Sequence, residues 1–157
     1  MNNKNSVKFV INTIKREKEV VRMTEKNLDF LKKQKIIFTL PEKDIENEYK
    51  IEKYQRYKKW LEEKWKEREG GFVEKLLLFF HEPETFQFIV EISNYGPLGS
   101  YNPQNNTVTI NLNTPFDPIE TIKHEMVHIM VDPFVKKYKI SHNQKEIIVK
   151  TISKILK

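Results

Sequence analysis

The sequence contains no cysteine, only four glycines and no long apolar run. Without cysteine, disulfides and thiolate metal ligands are excluded, and a reducing cytoplasm is the default compartment. A helix that crosses a bilayer needs roughly 20 consecutive apolar residues, which this chain does not contain, so we expect no membrane-bound function. Any metal would have to be bound by histidine and carboxylate side chains.

Charge is abundant but unevenly distributed along the chain. The 28 basic and 22 acidic residues give a net charge of +6, and residues 1–70 contain the whole of that excess. A basic surface favours binding to nucleic acid. However, basic and acidic residues alternate between Lys50 and Glu69 instead of clustering, which is typical of solvated helices. Nucleic acid is therefore the less favoured partner.

The first 70 residues predict mainly helices. From about Ser6 to Lys33, apolar residues recur every seven positions, at Val7, Ile14, Val21 and Leu28. The β-prone run Lys35–Leu40 follows, and a second long helix is predicted from Glu42 to about Glu69. Gly70 and Gly71 then mark a break. We therefore expect an N-terminal helical region, 1–70, that is either separate from a second region, 71–157, or packed on its core.

The second region predicts a small sheet followed by two helices. Phe72 to Phe80 is predicted to be a short helix, Thr85 to Ser93 a strand, and residues 94–106 a loop or broken hairpin. The clearest strand is Thr107–Asn113, where apolar and polar residues alternate strictly. The sequence thus predicts an α+β fold, in which a small mixed sheet of about three strands precedes two C-terminal helices.

Helix signals mark the start of both C-terminal helices. Asp117, followed by proline and then by glutamate at the capping-box position, predicts a helix that runs to about Val131 and ends before Pro133. Ser141 suits the N-cap of the last helix, and Gln144 lies three residues after it.

The first of these helices contains His124-Glu125-Met126-Val127-His128, which is the H-E-x-x-H pattern. Residues four apart lie one above the other on a helix, so both imidazoles can bind one metal ion. Zinc binds neutral imidazole nitrogens, and catalytic zinc sites use three protein ligands and a water. Glu125 projects about 100° around the helix from His124 and can accept a proton from that water as general base. A purely structural histidine pair is the alternative interpretation.

Two residues of the last helix are candidates for a third ligand. Glu146 lies one turn into the helix and His142 lies at its start, and a short loop after His128 would bring either residue back to the metal. Asp132 lies farther along the axis of the first helix and is a candidate only for orienting a histidine. The longer pattern H-E-x-x-H-x-x-G-x-x-H is absent, which excludes a metzincin-type site.

Residues from about Gly71 to Ile155 resemble the minigluzincins, a minimal type of thermolysin-like gluzincin metallopeptidase. The matching features are the strand Thr107–Asn113, the H-E-x-x-H helix, and the downstream helix that contains Glu146. The resemblance implies a Zn²⁺ site formed by His124, His128 and Glu146. It also implies a zinc-dependent metalloendopeptidase, in which Glu125 activates the zinc-bound water. One position departs from the larger gluzincins, which have an acidic residue holding a zinc histidine where this chain has Lys150.

The resemblance also implies how a peptide or unfolded-protein substrate would bind. In this family an extended peptide pairs with an edge strand of the sheet, which would place Thr109, Asn111 and Asn113 at the substrate. The larger enzymes use a histidine or tyrosine from a C-terminal subdomain to stabilise the transition-state oxyanion. Because eleven residues follow Glu146 here, we expect that role to fall to Tyr101, Tyr138 or His142.

Two other functions are compatible with the sequence. With His142 as third ligand, the chain would resemble the SprT-like proteases, which act on DNA-bound protein. A zinc-stabilised fold with a non-catalytic binding or regulatory role is the other alternative.

The cleft of so small an enzyme is expected to be open on one side. We therefore expect a latent, zymogen-like protein in which the run Lys35–Leu40, the tail Thr151–Lys157 or a self-associated second copy covers that side. The alternative is that the N-terminal helices only supply core.

Overall fold

The structure, a computed structural model, describes residues 6–157 and is a mixture of helices and strands. The predicted α+β class is confirmed. The first five residues of the predicted N-terminal region lie outside the described range. No helix within residues 6–157 has the combination of length and apolar character needed to cross a membrane.

The described chain forms six strands and seven helices. The strands are β1 (Val7–Ile11), β2 (Phe38–Thr39), β3 (Phe88–Ser93), β4 (Gly96–Pro97), β5 (Gly99–Asn102) and β6 (Thr107–Asn111). The helices are α1 (Ile14–Lys26), α2 (Leu28–Lys33), α3 (Ile45–Glu48), α4 (Ile51–Arg68), α5 (Phe72–Phe79), α6 (Pro118–Tyr138) and α7 (His142–Ile155).

The main sheet has four strands in the order β1-β3-β6-β5. Strands β1, β3 and β6 are parallel, and β5 pairs antiparallel with β6 at one edge. One face of the sheet is apolar and packs against α4 and α6, which places α6 beside β5 and β6. The buried side chains of this face are Phe9, Phe88, Val90, Ile92, Val108 and Ile110.

The N-terminal helix predicted from Ser6 is wrong at its start, because Val7–Ile11 is a strand. These residues are rich in β-branched side chains, and they pair in parallel with β3, with Val7 opposite Phe88. The helix begins only after Thr13, whose side chain accepts a hydrogen bond from the backbone N–H of Arg16. The N-terminal region therefore supplies a strand to the main sheet.

A buried carboxylate joins this N-terminal part to the rest of the molecule. Glu17 on α1 is fully buried. It accepts hydrogen bonds from the Tyr54 hydroxyl (2.6 Å), the Ser93 hydroxyl (2.6 Å) and the Asn94 backbone N–H (2.9 Å). Hydrogen bonds to a charged acceptor are stronger than those between neutral groups. Glu17 thus connects α1, α4 and the end of β3.

The second predicted helix, Glu42 to Glu69, is divided in two. Helix α3 ends at Glu48, and α4 starts at Ile51 after two residues of extended backbone. The Tyr49 hydroxyl in this break donates a hydrogen bond to the backbone carbonyl of Asn12 (2.8 Å). Tertiary contact at Tyr49 therefore overrides its helical propensity.

The strand Thr107–Asn113 is shorter than predicted and is not an edge strand. It ends at Asn111, and its main-chain groups pair with β3 on one side and β5 on the other. The free antiparallel edge is β5, within the segment predicted to be a loop or broken hairpin. The β-prone run Lys35–Leu40 contains β2, which pairs with β4, just before β5 in the chain.

Helix α6 continues through Pro133 to Tyr138, so the predicted end near Val131 is wrong. Proline removes one backbone donor, but apolar packing on both sides of it maintains the helix, since Val131 is buried and Val135 contacts the core. Lys139, in the left-handed conformation, ends the helix. After α7, Leu156 is buried in the main core, so the C-terminal tail packs on the domain.

Candidate metal centre

Two helices in a hairpin form the centre of the candidate site. Asp117 caps α6 by accepting a hydrogen bond from the Ile119 backbone N–H, as its sequence predicts. Three residues, 139–141, separate α6 from α7. Ser141 and Gln144 form the predicted capping box at the start of α7. The short connection makes the two helices pack against each other.

This hairpin brings His124, His128 and Glu146 together. The Nε2 atom of His128 lies 3.1 Å from Nε2 of His124 and 3.2 Å from Oε1 of Glu146. The Nε2 atom of His124 lies 3.5 Å from Oε2 of Glu146. Among residues 6–157, these three form the only group of at least three potential ligand residues whose atoms lie within 4.8 Å of one another.

The separations match those around a small tetrahedral ion. Zinc binds imidazole nitrogen and carboxylate oxygen at about 2.0–2.2 Å, which places tetrahedral ligand atoms about 3.3 Å apart. The three separations, 3.1, 3.2 and 3.5 Å, bracket this value. The residues present therefore fit a metal ion with two nitrogen ligands and one oxygen ligand.

The ionisation of the ligands also suits a cation. Burial lowers the pKa of His128, so its ring stays neutral, as a metal ligand must be. Hydrogen bonds from His124 and His128 hold the pKa of Glu146 far below its usual range, so this carboxylate is ionised. The side chains of His124 and Glu146 are 30% and 28% exposed, which leaves the site open to solvent.

Glu125 lies beside the ligands and against the edge strand. The pKa of Glu125 is raised to about 7, chiefly by burial and also by the charge of Glu146, while His124 and Lys145 act in the opposite direction. Gly99 of β5 faces this carboxylate closely. A Cβ atom at Gly99 would lie 3.0 Å from Oε1 of Glu125 and 2.5 Å from Cγ2 of Thr121. The edge strand can approach the helix this closely only because residue 99 has no side chain.

Of the three tyrosine and histidine candidates for an oxyanion partner, only Tyr101 contacts a ligand of the site. Its ring stacks on His128, with centroids 4.7 Å apart and planes at 4°. Its hydroxyl accepts a hydrogen bond from Nζ of Lys145 (2.9 Å). Tyr138 is 64% exposed, beside Lys137 at the end of α6.

His142 and Asp132 have other partners. The His142 ring packs edge-on against Phe30, with centroids 6.0 Å apart, and it does not belong to the ligand group found among the described residues. Asp132 forms an ion pair with Lys136 (2.7 Å) on the same helix. The geometry therefore brings Glu146, and not His142, to the histidine pair.

The polar residues predicted to bind substrate lie elsewhere. The Thr109 hydroxyl donates to Glu91, which pairs with Arg16 of α1. Asn111 is fully buried and donates to Thr39 and to the carbonyl of Gly96. Asn113 donates to Asn94. Since β6 is internal, its backbone is already paired, and a peptide could not add to it as a strand.

Two residues in contact with the site were not singled out from the sequence. The sequence shows that Lys145 directly precedes the candidate ligand Glu146. It does not show that Lys145 contacts Tyr101, because Tyr101 is 44 residues away in the chain. Gly99 gave no signal, because a close approach between a strand and a helix depends on the tertiary fold. Neither residue is one of the three candidate ligands: Lys145 contacts Tyr101, and Gly99 lies against Glu125.

Comparison of the chain with protein-family models, curated proteins and solved structures found no match in any of the three. The functional assignment therefore depends on the geometry of the site.

Proposed function

We propose that the protein is a zinc-dependent metallopeptidase with a minigluzincin-like site. The observation that carries the proposal is the convergence of His124, His128 and Glu146 at metal-ligand separations, with Glu125 beside them. Two histidines and one glutamate are the ligands of one class of catalytic zinc site, which keeps its fourth position for water.

The chemistry divides between the ion and the side chains. When bound, zinc would lower the pKa of a water toward about 7 and polarise the peptide carbonyl. Glu125 would accept a proton from that water and deliver it to the nitrogen of the departing amine. Burial of the carboxyl, which raises the pKa of Glu125 to about 7, suits a group that both accepts and donates a proton.

Strand β5 supplies a place for an extended substrate. It is the antiparallel edge of the main sheet and packs against α6. An extended peptide can pair with the free main-chain groups of such an edge, which would hold it above the ligands. Peptides and unfolded proteins are therefore the proposed substrates.

The alternatives receive less support. A SprT-like site would need His142 as a ligand, and its ring packs on Phe30. A non-catalytic zinc-stabilised fold would not explain why a carboxyl with a raised pKa, Glu125, lies buried beside the ligands.

The experiment compares metal content and cleavage of an unfolded protein for the wild type and Glu125→Gln. The amide cannot accept a proton, but it is not a ligand, so the variant should keep one zinc per chain and lose hydrolysis by at least about 100-fold. Metal binding without cleavage by the wild type would contradict an active enzyme and is the result expected of either a latent enzyme or the non-catalytic role. Retention of most activity in Glu125→Gln would remove Glu125 from the mechanism.

A further inference from the structure

The ring nitrogen of His128 that faces away from the ligand group has no hydrogen-bond partner. Nδ1 is buried and unpaired within residues 6–157. Metal-binding histidines almost always donate this N–H to a carboxylate, a carbonyl or water, which fixes the plane of the ring. Something else must hold the ring of His128.

Tyr101 is the group in contact with that ring. The two rings are nearly parallel, at 4°, with centroids 4.7 Å apart, and the His128 side chain is only 3% exposed. A flat stack restricts rotation of the imidazole about its last side-chain bond, because turning the ring would drive it into the tyrosine. The stack therefore restrains the same torsion that a hydrogen bond to Nδ1 normally restrains.

Tyr101 also contacts the other ligand-bearing helix. Nζ of Lys145 donates to the Tyr101 hydroxyl at 2.9 Å and lies 5.4 Å from the centre of its ring. Lys145 directly precedes Glu146 on α7. One side chain on β5 thus contacts α6 through its ring and α7 through its hydroxyl.

We propose that Tyr101 is a positioning residue for the metal centre, holding the His128 ring in its ligating orientation by stacking, in place of a hydrogen bond to Nδ1. The proposal depends on the metal site proposed above. It assigns Tyr101 a role in metal binding that is separate from stabilising an oxyanion.

The test measures Zn²⁺ affinity by competition with a chromogenic chelator, and the visible absorption of the Co²⁺-substituted protein. Tyr101→Leu removes the ring and should lower Zn²⁺ affinity by roughly 10- to 100-fold, the usual effect of losing a group that orients a ligand. It should also change the Co²⁺ spectrum. Tyr101→Phe keeps the stack and should leave both properties close to wild type.

Tyr138→Leu is the matched control, because Tyr138 is an exposed tyrosine at the end of α6. It should bind Zn²⁺ as the wild type does. Circular dichroism of the metal-free proteins checks that each variant is folded. If Tyr101→Leu does not fold, Tyr101→Gln takes its place, with the same expected loss of affinity.

Three results would overturn the inference. A wild type that binds neither Zn²⁺ nor Co²⁺ would refute the metal site itself. If the wild type binds and folded Tyr101→Leu binds equally well, the metal site remains and the role of Tyr101 is wrong. An equal loss in Tyr101→Phe and Tyr101→Leu would show that the hydroxyl, and not the stack, holds the site.

Discussion

Glu146 reaches the histidine pair because α7 turns back directly after α6. On the same helix, His142 lies one turn earlier and contacts Phe30. Glu146→Ala should therefore lose most metal affinity, whereas His142→Ala should keep it. Isothermal titration with Zn²⁺ measures both variants. The opposite result, with binding abolished only in His142→Ala, would refute the glutamate assignment and favour a SprT-like site.

Gly99 allows the edge strand to lie against the helix beside Glu125. Gly99→Ala would place a methyl group 2.5 Å from Cγ2 of Thr121 and 3.0 Å from Oε1 of Glu125. We expect it to lower the free energy of unfolding by about 1–3 kcal/mol, as overpacking does, and to reduce peptide cleavage while Zn²⁺ is still bound. Denaturant unfolding and a cleavage assay measure the two effects.

Thr121→Ser provides the control for this clash. Serine lacks Cγ2 but can keep the hydrogen bond that the Thr121 hydroxyl donates to the carbonyl of Asp117. The double variant Gly99→Ala/Thr121→Ser should recover most of the stability lost in the single variant. No recovery would mean that the alanine acts through something other than contact with α6.

Helix α6 depends on the carboxylate at its N-terminus. A hydrogen bond from Arg68 holds the pKa of Asp117 below its usual value, and the capped Ile119 N–H lowers it further. Because the pKa is lower in the folded state, this stabilisation is fully present above about pH 4 and is lost as the pH falls through the folded-state pKa.

Asp117→Asn tests that contribution, since asparagine still caps the helix but carries no charge. We expect a loss of about 0.5–1 kcal/mol at pH 7, reduced by salt because the pair is partly exposed. The difference from the wild type should shrink as the pH falls through the folded-state pKa of Asp117. Chemical denaturation at several pH values measures it, and a difference that persists at low pH would contradict the electrostatic account.

Short-range sequence patterns predicted where helices begin and end better than they predicted which segments pack or pair with one another. The caps at Asp117 and Ser141, the break at Gly70-Gly71 and the helix beginning at Phe72 are each specified by a few neighbouring residues, and the structure confirms them. The H-E-x-x-H spacing and the downstream glutamate likewise placed the candidate ligands. What was missed depends on distant contacts.

Strand β1 shows why such contacts were not predicted. Val7 fits both a heptad pattern and a β-strand, and only pairing with Phe88, far along the chain, decides between them. The same limit applies to β6, whose alternating pattern predicts a strand but cannot show whether it has one neighbour or two. The stack of Tyr101 on His128 follows from the position of β5 and is also invisible in sequence.

The N-terminal part is structural in this fold, since it supplies β1 and the buried carboxylate of Glu17. Deleting residues 1–35 should therefore unfold the protein, which circular dichroism and thermal unfolding would detect. A folded deletion variant with raised peptidase activity would instead identify an inhibitory segment. A folded deletion variant with unchanged, low activity would show that residues 1–35 are neither required for folding nor inhibitory.

A point variant separates the loss of Glu17 from the loss of the strand. Glu17→Ala leaves the buried Tyr54 hydroxyl and the partly buried Asn94 N–H without their acceptor, whereas the Ser93 hydroxyl can still donate to the carbonyl of Tyr95. An unsatisfied buried group costs about 1–3 kcal/mol, so we expect a loss of at least about 1 kcal/mol in denaturant unfolding. Glu25→Ala, at an exposed position of the same helix, is the matched control and should be nearly neutral.

The candidate ligands lie within one short segment, residues 124–146, whereas the main sheet must join Val7 to Phe88. A short loop closes faster, and with a smaller loss of conformational entropy, than a long one. During refolding, a bound metal ion would therefore tether α6 to α7 before β1 has paired with β3. The ion would first serve as a cross-link in the immature chain, so the rate of maturation should rise with the concentration of free metal.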